Sequence, residues 1–323
     1  MRHLERTLVA LAACCAASSA TASEVQSSSS SQVVATIPFH PPLGKTLRYR
    51  VTKTGDGLPP QRTAEVLENL QYQKSPDGYL LTITVERIME DGGTYTPTTG
   101  PVIIKGRQLD TVSRAEDRIG LLGPVTLELN ERGEVERVHN WPDLQQAIRT
   151  LPDRVASSFP VGGIRTEVRN LVATTYAPLS EVSPEGPIGF AGREWPIMLG
   201  FNAKSFLLGQ PMVVPGAVAI MGQTEPVTYT QTVLVSQDAD GTFSLKESQI
   251  YDRESFNAAV RRAEEAHLLP KDASSFDKFL RVAQIFIDYD EVGIISHGSW
   301  VIQYKDDADK AVQTTTNTFE RLN

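Results

Sequence analysis

Cysteine is confined to two adjacent positions, Cys14 and Cys15. Nothing downstream can therefore form a disulfide, a thiolate metal site or a cysteine nucleophile. Long apolar runs are scarce as well. Past the first residues nothing approaches the roughly 18 consecutive apolar residues of a spanning helix. Lys and Arg never gather into a dense block, and a polyanion partner needs a concentrated basic surface, so nucleic acid is excluded as a partner. The chain has no Gly-x-Ser-x-Gly elbow, no phosphate loop and no Gly-x-Gly-x-x-Gly fingerprint. Its histidines are His3, His40, His139, His267 and His297. None pairs at the helical spacing of a zinc site. His297 stands beside Ser296, but adjacent strand residues point to opposite faces, so the two are no nucleophile–base pair. No cofactor is expected.

What is present begins at the N-terminus. Arg2 and Arg6 precede a short apolar stretch, Thr7 to Ala17, in the pattern of a secretory signal over residues 1–22. Two processing sites compete. Ala20-Thr21-Ala22 before Ser23 fits ordinary signal peptidase. Leu11-Ala12-Ala13-Cys14 resembles the lipobox of bacterial lipoprotein precursors, and that resemblance implies lipidation at Cys14. The serine run Ser27 to Ser31 and the prolines Pro38, Pro41 and Pro42 read as a tether over residues 23–44. The whole chain carries a formal charge of −8, and the signal holds Arg2, Glu5 and Arg6, a net +1, so the mature chain carries −8 − 1 = −9. The expected location is outside the cytoplasm, in the periplasm or membrane-anchored through lipid at Cys14.

The folded region is expected over residues 45–323. Its grammar is that of hairpins. Leu47, Tyr49 and Val51 alternate with Arg48, Arg50 and Thr52. Ser75-Pro76-Asp77-Gly78, Glu131-Arg132-Gly133 and Asp238-Ala239-Asp240-Gly241 are turns between alternating runs. A helix is expected from Trp141, capped by Asn140 and stopping near Pro152. A second carries Phe256, Ala259, Val260, Ala263 and His267 on one stripe and ends at Pro270. A third is expected over Ser275 to Tyr289, where Phe276, Phe279, Leu280, Ala283, Phe286 and Ile287 recur at helical spacing. The short connector makes these last two antiparallel neighbours. Residues 152–225 are broken by many prolines and read as short edge strands and loops. The layout therefore allows two halves, 45–151 and 226–323, joined by that segment. The fold class is α+β: curved antiparallel sheet built from hairpins, with amphipathic helices packed on one face.

Ser236 to Glu247 approaches the calcium-loop template at Asp238, Asp240, Gly241 and Glu247. It lacks the first acidic ligand, and its flanks read as strands, so an Asp-x-Asp-Gly hairpin turn accounts for the same residues. Asp238, Asp240 and Glu247 remain the metal candidates, with no metal expected. Asp288, Asp290 and Glu291 form a second acidic group that wants a cation, an arginine partner or simple exposure. Trp141, Trp195 and Trp300 are expected in the core rather than around a cavity. In outline the chain resembles the open-barrel lipoprotein carriers of the bacterial periplasm. That resemblance implies a non-enzymatic envelope protein holding a hydrophobic small molecule or lipid between sheet and helices, touching the membrane only through its anchor. Two other readings stay open: a periplasmic hydrolase with its site scattered over loops of 152–225, and a structural surface lipoprotein.

Overall fold

The computed structural model describes residues 33–56, 62–90, 93–97, 120–157, 162–180, 194–218, 226–265 and 280–323. The signal, Cys14, the serine run, His267, Pro270 and Ser275 to Phe279 lie outside the described residues. The described chain is mostly antiparallel strand with few helices. None of those helices is long and apolar enough to cross a membrane, which says nothing of strands.

The strands are β1 (Val34–Thr36), β2 (Thr46–Asp56), β3 (Arg62–Ser75), β4 (Gly78–Glu90), β5 (Gly93–Tyr95), β6 (Val125–Asn130), β7 (Val135–Val138), β8 (Ser205–Leu207), β9 (Met212–Val218), β10 (Val227–Gln237), β11 (Phe243–Tyr251), β12 (Leu280–Tyr289), β13 (Ile295–Lys305) and β14 (Ala311–Arg321). The helices are α1 (Trp141–Ser157), α2 (Gly163–Ser180), α3 (Trp195–Leu199) and α4 (Arg253–Glu265). One sheet takes the order β7-β6-β4-β3-β2-β14-β13-β12-β11-β10-β9, with β5 on β4, and every pair is antiparallel. Most neighbours are joined by hairpins, as the turn chemistry requires. The pairing of β14 with β2, Asn317 opposite Lys53 and Phe319 opposite Val51, carries the sheet unbroken from the N-terminal strands to the C-terminal ones.

The helix expected over Ser275 to Tyr289 is overturned in its described part, 280–289. Residues 280–289 are β12, paired on both sides, with β11 and with β13. Ala283, Ile285, Ile287 and Tyr289 are buried, while Phe286, placed on the helical stripe, is 40% exposed. A run of five or six apolar residues fits both periods. The β-branched Val282, Ile285 and Ile287 decide it, because they pack well on a pleated surface and lose rotamer freedom in a helix. Among the described residues the expected antiparallel helix pair is therefore not formed, and the next described element after α4 is β12.

The structure departs from three smaller expectations as well. α1 passes through Pro152 to Ser157. A proline there removes the amide that would bond the Ile148 carbonyl, at about 3 kcal/mol. Burial of Leu151 just before it and of Val155 and Ala156 beyond it offsets that cost, at roughly 1.5–3 kcal/mol for each large side chain. Asn140 does not cap α1 with its side chain. Its Oδ1 accepts from the Thr126 amide at 2.9 Å and its Nδ2 donates to the Pro124 carbonyl at 2.8 Å, so it ties the helix entry to β6. Residues 163–180 are helical rather than looped. Pro160 and Pro178 bracket a proline-free run long enough for several turns. The edge-strand expectation holds at β9, the last strand of the sheet, which contains Pro215.

Residues 34–39, expected in the tether, belong to the folded body. β1 pairs with β8, and Ile37 and Phe39 are buried. Phe39 packs edge-on against Tyr72 and Tyr79, at 6.0 and 5.3 Å between ring centroids. Gly133, in the β6–β7 turn, has φ +82 and faces the Phe39 ring so closely that a Cβ would stand 2.8 Å from it. Gly293, in the β12–β13 turn, has φ +80, and a Cβ there would lie 1.7 Å from the Pro38 carbonyl oxygen. The His40 backbone N–H adds a hydrogen bond to the Val292 carbonyl at 2.9 Å. One short segment thus touches the turns of two hairpins.

Candidate functional site

In β2 the alternation that buries Leu47, Tyr49 and Val51 puts the next inward side chain at Lys53. The register makes this one member of a row running straight across the sheet: Glu90, Ala64, Lys53, Asn317, Trp300, Ile285, Glu247 and Val233. Four of these are polar, and all four are at most 4% exposed. A polar side chain in the apolar phase of a strand costs free energy unless it is partnered. The row resolves into two clusters with different partnering.

The first is built on α3. Glu194, just ahead of that helix, does not cap it. Its Oε1 instead takes the Lys53 ammonium at 2.7 Å and the Asn317 carboxamide at 3.2 Å. Trp195 follows. Its indole Nε1 donates to Glu68 Oε2 at 2.8 Å, and its ring stands edge-on to Tyr49 and Phe319, at 4.8 and 5.7 Å between centroids. The Tyr289 hydroxyl donates to the Met198 carbonyl at 3.1 Å. A five-residue helix cannot hold itself together; here one ion pair, one indole bond, one tyrosine hydroxyl bond and two ring contacts fasten it to β2, β3, β12 and β14. Trp141, Trp195 and Trp300 are all buried in the core, as expected of them.

The second cluster centres on Glu247. It is 3% exposed, and Gln231 and Gln249 both donate to its Oε1 at 2.6 Å. Its Oε2 is buried without a hydrogen-bond partner. Burial pushes the carboxyl up to about 7, against the opposing pull of the Gln249 and Gln231 bonds and the through-space charge of Lys204. Tyr251 donates to Gln249 Oε1 at 3.1 Å, its ring lies 5.2 Å from that of Tyr229, and Arg281 stacks on it at 4.2 Å. Unlike the Trp195 surroundings, this part of the buried face is half open: Tyr229, Gln231 and Gln249 are all of intermediate exposure. α4 lies toward its Tyr304 end, with Phe256 at 6.5 Å from that ring.

The metal candidates do not come together. Asp238 and Asp240 sit in the β10–β11 turn, where Asp240 Oδ1 accepts from the Thr242 hydroxyl at 2.7 Å and amide at 3.0 Å. Those bonds hold the Asp240 carboxyl below its ordinary value. Glu247 lies four residues beyond Phe243 on β11, roughly 13 Å along the strand. Among the described residues no group of three or more His, Cys, Asp or Glu could hold a metal. Of the second acidic group, Asp290 has the arginine partner, Arg321, at 2.7 Å, and its Oδ1 accepts from the Val292 and Ile294 amides. Asp288 accepts from the Ser244 hydroxyl. His297 faces the Phe319 carbonyl on the neighbouring strand. Lys53, Glu68, Glu194, Gln231, Gln249 and Asn317 were not foreseen as a site.

No family model matches this chain, and no curated protein matches it. Among solved structures it is similar to a protein of unknown function from the DUF3598 family of Nostoc punctiforme, at 10% identity over 87% of this chain and 96% of that one, with a TM-score of 0.13. At that score the likeness carries no argument about fold or function.

Proposed function

We propose that this is an exported, non-enzymatic envelope protein that holds a hydrophobic or amphiphilic small molecule on the buried face of a curved antiparallel sheet. Curvature is supported by the Pro38–Phe39 segment. On a flat sheet the β6–β7 and β12–β13 turns would stand roughly 25–30 Å apart, at about 4.8 Å per strand. Two consecutive residues touch both. The holding role rests on one observation: beside a tightly filled Trp195 region, the same face carries half-exposed Tyr229, Gln231 and Gln249 over the buried Glu247. Such a mixture of aromatic wall and few convergent polar groups suits an amphiphile. Helix α4 and the 194–209 segment cover the flanks of that face.

Export and anchoring belong to the same reading, carried by the signal pattern and by Cys14. Native mass spectrometry of the purified mature protein, followed by lipid extraction, tests the holding role. A copurifying amphiphile is expected; a protein that never carries one, and takes none up from added lipid, overturns it. Cys14→Ala should convert an acylated, membrane-fractionating product into a soluble one. Unchanged fractionation removes the anchor.

A further inference from the structure

We propose that Glu247, Gln231 and Gln249 form a binding site for a primary ammonium group, the polar head of the molecule held on this face. The proposal rests on the holding role and names the ligand class. Two carboxamide nitrogens converge on one carboxylate oxygen, each at 2.6 Å. A carboxamide carries its acceptor opposite its donor, so half a turn about the last side-chain bond exchanges them. With both glutamines turned, three oxygens meet at one point. That is the complement of an alkylammonium, which offers three N–H donors and no acceptor.

The exchange strands nothing that the present arrangement satisfies. Gln249 Oε1 now accepts from the Tyr251 hydroxyl at 3.1 Å. A hydroxyl accepts as readily as it donates, so the turned carboxamide keeps that partner. Gln231 and Gln249 are half exposed, which leaves them room to turn and gives the ligand its approach.

Charge selects the cation. Glu247 is a buried carboxyl with a buried, unpartnered Oε2, and Lys204 acts on it through space only. The other cluster shows the contrast: there Glu194 has the Lys53 ammonium at 2.7 Å. A charge-assisted bond is worth more than a neutral one, and it is worth most where water is thin. An anion would meet the carboxylate, and a neutral alcohol would leave it uncompensated. The Tyr229 and Tyr251 rings, two residues along the same face from the glutamines, offer an apolar wall for the alkyl chain, with Arg281 already stacked on Tyr251 at 4.2 Å.

Titration calorimetry of the full mature chain with n-octylammonium chloride and with 1-octanol, above neutral pH, tests this. The amine is expected to bind at least about tenfold tighter than the alcohol. Glu247→Gln should erase the difference. Gln231→Leu, at a half-exposed position, should shrink it severalfold, and it decides the matter should the first variant not fold. Equal affinities, or an advantage that survives both substitutions, overturn the ammonium site while leaving the holding role in place. Failure of both compounds to bind overturns the two together.

Discussion

Lys53→Met removes the buried ammonium that faces Glu194. The two side chains are each 2% exposed, with Nζ 2.7 Å from Oε1. At an effective dielectric of about 20, their attraction is about 6 kcal/mol. The variant need not lose all of it, because a stranded glutamate can take up a proton instead. From an ordinary value of about 4.3, protonation at neutral pH costs about 3.5 kcal/mol. The cheaper route wins, so the loss is capped near that figure, inside the range of about 3–5 kcal/mol for breaking a buried pair. The cap has a signature. The protonation cost falls by about 1.4 kcal/mol per pH unit, so the gap between variant and wild type narrows as pH falls toward the ordinary glutamate value. Urea unfolding followed by tryptophan fluorescence measures it, with Trp195 adjacent to the lesion. The companion Lys53→Met/Glu194→Leu, apolar at both positions, should recover most of the loss. A single-variant loss below about 1 kcal/mol, or one that ignores pH, refutes the buried-pair argument.

Glu247→Gln should flatten the pH dependence of stability. The folded carboxyl sits at about 7 against an ordinary 4.5, so the native state holds the proton more tightly and stability falls as pH rises through that window. The loss amounts to about 3 kcal/mol, and chemical denaturation on either side of the window reads it. Ile285→Ala should cost roughly 2–5 kcal/mol, whereas Phe286→Ala, on the open face of β12, should cost less than about 1 kcal/mol. The reverse order would restore a helix there. Gly293→Ala combines a positive φ with a Cβ 1.7 Å from the Pro38 oxygen, and should lower stability by more than about 2 kcal/mol. A thermal melt that barely moves would mean that the Pro38–Phe39 segment is not seated on that turn.

The hairpins were legible because turn chemistry and period-two alternation agree. Pro76-Asp77-Gly78 and Asp240-Gly241 each sit between strands of the expected phase. β12 was not, because Leu280, Ala283, Phe286 and Ile287 satisfy a helical spacing by accident of composition. Only the β-branched residues between them carried the right signal. The polar row was legible in principle. Lys53 follows Leu47, Tyr49 and Val51 in phase, and Glu247 follows Phe243 and Leu245. A charged residue in the apolar phase of an otherwise regular strand is the mark of a buried polar group. What the phase cannot reveal is the partner. Glu194 comes from a segment 141 residues away from Lys53 in the chain, and Trp195 reaches Glu68 across 127. No periodicity extends over such gaps.

The two clusters of the row ask for different explanations. Around α3 every polar contact fixes a position: Lys53 and Asn317 hold Glu194, and Glu68 holds the Trp195 indole. These bonds replace the stability that a five-residue helix lacks. The Glu247 cluster fixes nothing of that kind. Its three polar side chains come from two adjacent strands already locked by backbone pairing, so the sheet would keep its register with leucines in their places. A carboxyl that burial has raised, set among carboxamides that can reverse their polarity and beside the half-exposed Tyr229, lowers stability without holding any element. The cost is explained if the cluster is kept for what it binds.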